Sequence, residues 1–86
     1  MRLVFDPAGW EDYQWWQIND RKIVKRIKPL VDDALRHPGE GRGQPERLKY
    51  RASEVWSRRI NQEHRLVYRV INDDLIVLQA RFHYND

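Results

Sequence analysis

The 86-residue chain has no cysteine, one methionine, four glycines and four prolines. Without cysteine there is no disulfide framework and no thiolate zinc site, so an ordinary core must hold the fold, in a compartment that need not be oxidising. The three histidines show no paired metal-ligand spacing, and neither a metal nor another cofactor is expected. Gly39, Gly41 and Gly43 alternate with polar residues but are not followed by the Lys-Ser/Thr of a phosphate-cradling loop. Long apolar runs are also missing. The longest, Leu75-Ile76-Val77-Leu78, falls far short of the ~20 residues of a membrane helix, so no membrane partner is expected. The run at Met1 to Pro7 is too short for a signal peptide and is broken by Asp6-Pro7. The N-terminus is therefore expected to belong to the fold, and the protein to the cytoplasm. A large excess of one charge is lacking too: 16 Lys+Arg against 13 Asp+Glu leaves +3, which excludes a polycationic tail.

Present instead are four Trp, four Tyr and two Phe, each able to bury a large area in a small core. A length of 86 residues allows one domain, expected to span 1–86. Arg2 to Phe5 reads as a strand ended by Asp6-Pro7, where Asp6 can cap and Pro7 can open a helix to about Ile18. Asn19 and Asp20 offer a second cap. Ile23, Ile27, Leu30, Val31, Ala34 and Leu35 then recur at helical spacing until His37-Pro38-Gly39, with Pro29 inside the helix expected to kink or distort it. The Gly/Pro-dense segment Pro38 to Pro45 reads as a loop. Thereafter the period becomes two. Leu48 to Tyr50, Val55 to Ile60, His64 to Val70 and Leu75 to Tyr84 read as strands joined by short polar turns, which favour antiparallel neighbours. The predicted class is α+β: one strand, two helices, then antiparallel strands forming a small sheet that packs against both helices.

Strand parity suggests which face is open. Leu66, Tyr68 and Val70 alternate with Arg65, Val67 and Arg69. In the last strand Ile76, Leu78, Ala80, Phe82 and Tyr84 alternate with Arg81 and His83. With the apolar sets on the helices, Arg65, Arg69, Arg81 and His83 fall on the uncovered face, and Arg59 has the parity to join them. Between Arg47 and Arg69 seven cations (Arg47, Lys49, Arg51, Arg58, Arg59, Arg65, Arg69) meet two acids, Glu54 and Glu63, a local net of +5 hidden within the global +3. Such a concentration suits phosphate contact.

A titratable group beside that patch adds a chemical possibility. Cleaving RNA through its own 2′-hydroxyl requires a base for that hydroxyl, cations for the charged phosphate and an acid for the 5′-oxygen leaving group. Glu46, Arg65 and His83 carry suitable chemistry for these roles in turn. On the residues alone, plainer readings stay beside this one: a solvated strand face, an exposed loop carboxylate, a strand-end histidine. His37, near a helix end, reads as a partner of the helix dipole, and His64 as a turn-exit residue. Trp10, Tyr13 and Trp16 at spacing three read as core, and Trp15 as exposed or partner-facing.

Several ordered motifs resemble one family. Pro45-Glu46-Arg47-Leu48-Lys49, Trp56-Ser57-Arg58-Arg59-Ile60, Glu63-His64-Arg65-Leu66-Val67-Tyr68 and Arg81-Phe82-His83-Tyr84, with Trp10-Glu11-Asp12-Tyr13, the Ile23 to Ile27 helix and Gly41-Arg42-Gly43, resemble the YoeB/Txe toxins of the RelE superfamily over nearly the whole chain. The resemblance implies the RelE/YoeB-like microbial RNase fold, a small twisted sheet backed by two helices. It also implies the toxin of a type II toxin–antitoxin pair: a ribosome-dependent endoribonuclease, an mRNA interferase that cuts mRNA in the A site of the 70S ribosome and inhibits translation. By the same resemblance Glu46 is the general base, Arg65 the phosphate stabiliser and His83 the general acid, with Tyr84, Lys49 and Arg59 on the substrate. A YefM/Phd-type antitoxin and a homodimer are the implied partners. Two features depart from the family pattern, the Asn85-Asp86 extension and Pro29 within the second helix. Two alternatives are a non-catalytic ribosome- or nucleic-acid-binding member of the same fold and a ParE-like gyrase inhibitor.

Overall fold

The computed structural model describes residues 1–48 and 54–82. Its elements run β1 (Arg2–Phe5), α1 (Pro7–Asn19), α2 (Arg21–Arg36), β2 (Glu46–Arg47), β3 (Glu54–Arg59), β4 (Arg65–Ile71) and β5 (Asp74–Gln79). Local chemistry sets both helix starts. The Asp6 carboxylate accepts from the Ala8 amide with Pro7 in the first turn, and the Asp20 carboxylate accepts from the Lys22 amide at 3.0 Å. α2 runs unbroken through Pro29 to Arg36. It buries Ile23, Ile27, Leu30, Val31 and Ala34, the stripe its periodicity predicts.

Among the described residues five strands form one sheet in the order β1-β5-β4-β3-β2. The β2–β3, β3–β4 and β4–β5 pairs are antiparallel, as the short turns predict. β1 joins the far edge parallel to β5, with Leu3 opposite Leu75, so the sheet is mixed. Both helices cover one face. The core holds Trp16, Ile23, Ile27, Leu30, Val31 and Ala34 from the helices against Ile60, Leu66, Tyr68, Leu75, Val77 and Ala80. Gly9 lets α1 approach closely, since a Cβ there would collide with the Val77 carbonyl oxygen.

Three expectations require correction. The last strand ends at Gln79, not Tyr84, because α1 seizes Ala80: the Asp12 carboxylate accepts from the Ala80 amide at 3.0 Å, and Trp16 Nε1 donates to its carbonyl at 2.7 Å. The helix-facing set in β5 is Leu75 and Val77 rather than Ile76 and Leu78, because Tyr68, which faces the helices, pairs with Val77. Leu78, next to Val77, faces the other way into a second cluster with Leu48, Val55 and Val67, and an irregularity at Val67/Tyr68 sets Gln79 opposite Val67. β2 is Glu46–Arg47 and Leu48 lies just beyond it, donating to the Val55 carbonyl at 2.9 Å, while the rest of the strand expected at Leu48 to Tyr50 lies outside the described residues. Trp10 is not core: it is 45% exposed and meets Phe5 edge-on, whereas Trp16 is buried and Tyr13 packs at the core margin.

Candidate nucleic-acid interface

The face turned away from the helices is organised in rows by strand register. One row runs Glu46, Ser57, Val67, Gln79 across β2 to β5. Two residues further along, about 7 Å at strand rise, Arg59 on β3 stands directly opposite Arg65 on β4. In the other direction Val55 stands opposite Arg69, and Arg69 opposite Ile76. Three strands therefore bring a carboxylate, two facing guanidiniums and a third cation onto one surface, floored by the Leu48, Val55, Val67 and Leu78 cluster.

Like charges placed directly opposite across strands cost roughly 0.2–1 kcal/mol. Among the described residues no carboxylate lies within ion-pair distance of Arg59 or Arg65 to offset that cost. An anion between the two would. Arg65 is also held: one of its terminal nitrogens donates to the Asn61 carbonyl at 3.0 Å and to the His64 carbonyl at 3.2 Å, so the β3–β4 turn fixes the direction of the fork. Arg69 is half-buried, and its Nε has no acceptor among the described residues.

Two arginines counted with this patch on sequence belong elsewhere. Arg58 is fully buried on the helix side, where its five N–H donors meet five acceptors. Nε donates to the Tyr68 hydroxyl at 2.9 Å, and the other four bonds reach the Asp33 carboxylate and the carbonyls of Arg42, His37 and Glu40 at 2.6–2.9 Å. Arg58 thus ties the C-terminal end of α2 and the loop after it to the sheet. The Arg42 amide, first, and then Arg58 hold the Asp33 carboxyl below the usual carboxylate range. Burial pushes the Tyr68 hydroxyl up, and that hydroxyl also donates to the Pro38 carbonyl. Arg81 does not join the uncovered face, because the chain leaves the sheet at Ala80 and its guanidinium stacks 3.6 Å over the Trp15 ring. Trp15, expected to be exposed or partner-facing, is 36% exposed and carries the Arg81 guanidinium of its own chain on its ring.

Of the predicted site residues, Glu46, Arg59 and Arg65 share the open face. Lys49, His83 and Tyr84 lie outside the described residues. What sequence reasoning missed is the support for the segment after β5: Asp12 and Trp16 on Ala80, Trp15 on Arg81, and His64 Nδ1 accepting from the Phe82 amide at 2.7 Å. Burial raises the Asp12 carboxyl, opposed by the Ala80 amide it accepts. A carboxylate and a histidine within aromatic surroundings were visible signals, but their partners lie 68 and 18 residues away.

Among the described residues the chain is a two-helix α+β domain with an open, cation-bearing sheet face and a carboxylate on its edge strand. The family model described as a YoeB-like toxin of bacterial type II toxin–antitoxin systems matches residues 5–84. Toxin YoeB of Escherichia coli K12 is 49% identical over 84 residues, covering 98% of this chain and all of that protein. A solved YoeB/ParE toxin from Agrobacterium tumefaciens is 46% identical with a TM-score of 0.92, covering 98% of this chain and all of that one. The YoeB in a YoeB–YefM complex from Staphylococcus aureus is 40% identical with a TM-score of 0.85 over 98% of each chain. The chain belongs to the YoeB-like toxin family.

Proposed function

We propose that this chain is the toxin of a type II pair and acts as a ribosome-dependent mRNA endoribonuclease in the cytoplasm. The observation that carries the reading is the placement of Glu46 one row from the facing Arg59 and Arg65 on an open face. Glu46 takes the proton from the 2′-hydroxyl, and the freed oxygen attacks the adjacent phosphorus. Arg65, supported by Arg59 and Lys49, binds the non-bridging oxygens as charge builds on the pentavalent phosphate. His83 gives its proton to the departing 5′-oxygen, and Tyr84 contacts the substrate. The bond to the 5′-oxygen breaks as the bond to the 2′-oxygen forms, leaving a 2′,3′-cyclic phosphate, so one proton enters at Glu46 and one leaves at His83.

An open face holds a flexible strand poorly. Positioning of reacting groups can supply ~7–11 kcal/mol of a barrier, and the ribosome, which presents mRNA in fixed geometry, is the proposed source of it. The proposed inhibitor is a YefM-type antitoxin, by analogy with the complex of the S. aureus relative. The test is primer extension on mRNA bound to programmed ribosomes, with wild-type protein and with Glu46→Ala, Arg65→Ala and His83→Ala. Codon-linked breaks with the wild type, lost in each folded variant, are expected. Absence of breaks with the wild type would leave a binding protein, and full cleavage by a variant would remove that residue from the mechanism.

A further inference from the structure

The three residues after β5 have no regular secondary structure, yet each is gripped. Asp12 and Trp16 take both backbone groups of Ala80, Trp15 takes the guanidinium of Arg81, and His64 with Arg65 takes Phe82. The grip on Phe82 is the most specific. Its amide lies 2.7 Å from His64 Nδ1, and its carbonyl accepts from the Arg65 amide at 3.0 Å. Both backbone groups of one residue are thus bound by two consecutive residues at the start of β4. Phe82 also has φ 68, in the left-handed region that a bulky side chain occupies only when its surroundings impose it. Its two bonds to His64 and Arg65 are the imposing contacts.

The chemistry of the His64 contact is determined. A backbone amide only donates, so Nδ1 must carry a lone pair, and the ring proton of the neutral imidazole must sit on Nε2. The ring has little freedom to do otherwise. Its side chain is 12% exposed and stands edge-on to Trp16 with centroids 4.7 Å apart, while the Phe82 ring lies 6.0 Å away. The charged groups around it are Glu63, whose Oε2 is 3.8 Å from Nε2, Asp12 on α1, and the adjacent Arg65, while Arg81 lies over the Phe82 ring.

We propose that His64 is a positioning residue: as the Nε2–H tautomer it fixes Phe82 against Arg65 and so sets the point from which the chain continues into His83. Arg65 and the chain leading to His83 are then located by one shared set of bonds. The effect on rate rests on the reading of His83 as the general acid, whereas the latch itself rests only on the bonds to Phe82.

Two experiments separate these claims. In 15N NMR of the full-length protein at neutral pH, His64 should show a lone-pair nitrogen at Nδ1 and a protonated Nε2, with slow exchange of the Phe82 amide. A lone pair at Nε2, or a doubly protonated ring, would overturn the latch. In the programmed-ribosome assay, His64→Leu fills the space without an acceptor and should lower kcat about 10²-fold with little change in KM, the scale expected for a catalytic group displaced by ~1 Å. His64→Asn places an amide oxygen near the Nδ1 position and should recover to within about tenfold of wild type. If folded His64→Asn cleaves as slowly as His64→Leu, the acceptor at Nδ1 is not what matters and the proposal fails. Full cleavage by His83→Ala would remove the acid role and with it the route to rate, while the tautomer result would still decide the latch.

Discussion

Replacing Arg58 with methionine should unfold the protein far more readily without acting through RNA contact. Arg58 sits between Ser57 and Arg59 in a basic run, and a reader of the sequence would place it with the phosphate-binding cations. In the fold it is fully buried, and its five bonds join α2, the loop at 37–42 and β4. Methionine keeps much of the volume and provides no donor. The substitution leaves the Asp33 carboxylate with only the Arg42 amide and takes this donor from the carbonyls of His37, Glu40 and Arg42 together. Leaving a buried polar group without its partner costs roughly 1–3 kcal/mol, so three carbonyls losing a donor together cost about 3 kcal/mol or more, against a total stability of about 5–15 kcal/mol for a domain of this kind. At roughly 4–8 °C per kcal/mol for small domains, Tm should fall on the order of 12 °C or more. Arg58→Lys should recover only part of this, since three ammonium donors on a flexible stem cannot meet five acceptors in a planar fan. Thermal denaturation followed by near-UV circular dichroism, which the Trp-rich core should report, measures the shift. A Tm within about 4 °C of wild type, or intact stability with weakened RNA binding, would refute the structural assignment of Arg58.

Three further outcomes follow from the same contacts. Gly41→Ala should destabilise by about 1–3 kcal/mol, read by chemical denaturation, because Gly41 has φ 108 and a Cβ there would collide with the Asp33 carboxylate. The Asp33 carboxyl has a folded pKa below its unfolded value near ~4, so its stabilisation is present above that pH and is lost as pH falls through the folded value. A Tm series from pH 7 downward should therefore drop more steeply for the wild type than for Asp33→Asn, and parallel curves would contradict this. Trp15→Ala removes the ring beneath Arg81 and should cost about 0.5–1 kcal/mol, a small Tm change that Arg81→Ala should match.

The parts of the fold that follow local rules were legible in the chain. Asp6-Pro7 and Asp20 open the helices where capping requires, and the Ile23 to Ala34 stripe is the buried face of α2. Arg59 and Arg65 come together because register in antiparallel strands carries parity across the sheet, whereas Glu46, which reads as a loop carboxylate, joins them only through the pairing of β2 with β3. The errors share one physical source, which is contact between residues distant in sequence. Alternation runs on from Leu75 to Tyr84 without a break, but Asp12 and Trp16 remove Ala80 from the sheet. Leu75 and Ile76 are equally apolar, and only the pairing of Tyr68 with Val77 decides which set faces the helices. Arg58 reads as surface charge because its acceptors come from the end of α2 and the loop after it. His64 reads as a turn residue because Phe82 is 18 positions away.

In the proposed reaction a 2′-hydroxyl of the mRNA, deprotonated by Glu46, is the nucleophile. The most direct measurement is cleavage of two ribosome-bound mRNAs that differ only by a single 2′-deoxy substitution 5′ to the scissile phosphate. Cleavage of the all-ribose message to a 2′,3′-cyclic phosphate end, with none of the deoxy message at that bond, is the predicted result. Cleavage of the deoxy message at the same bond and rate would exclude the 2′-hydroxyl as nucleophile.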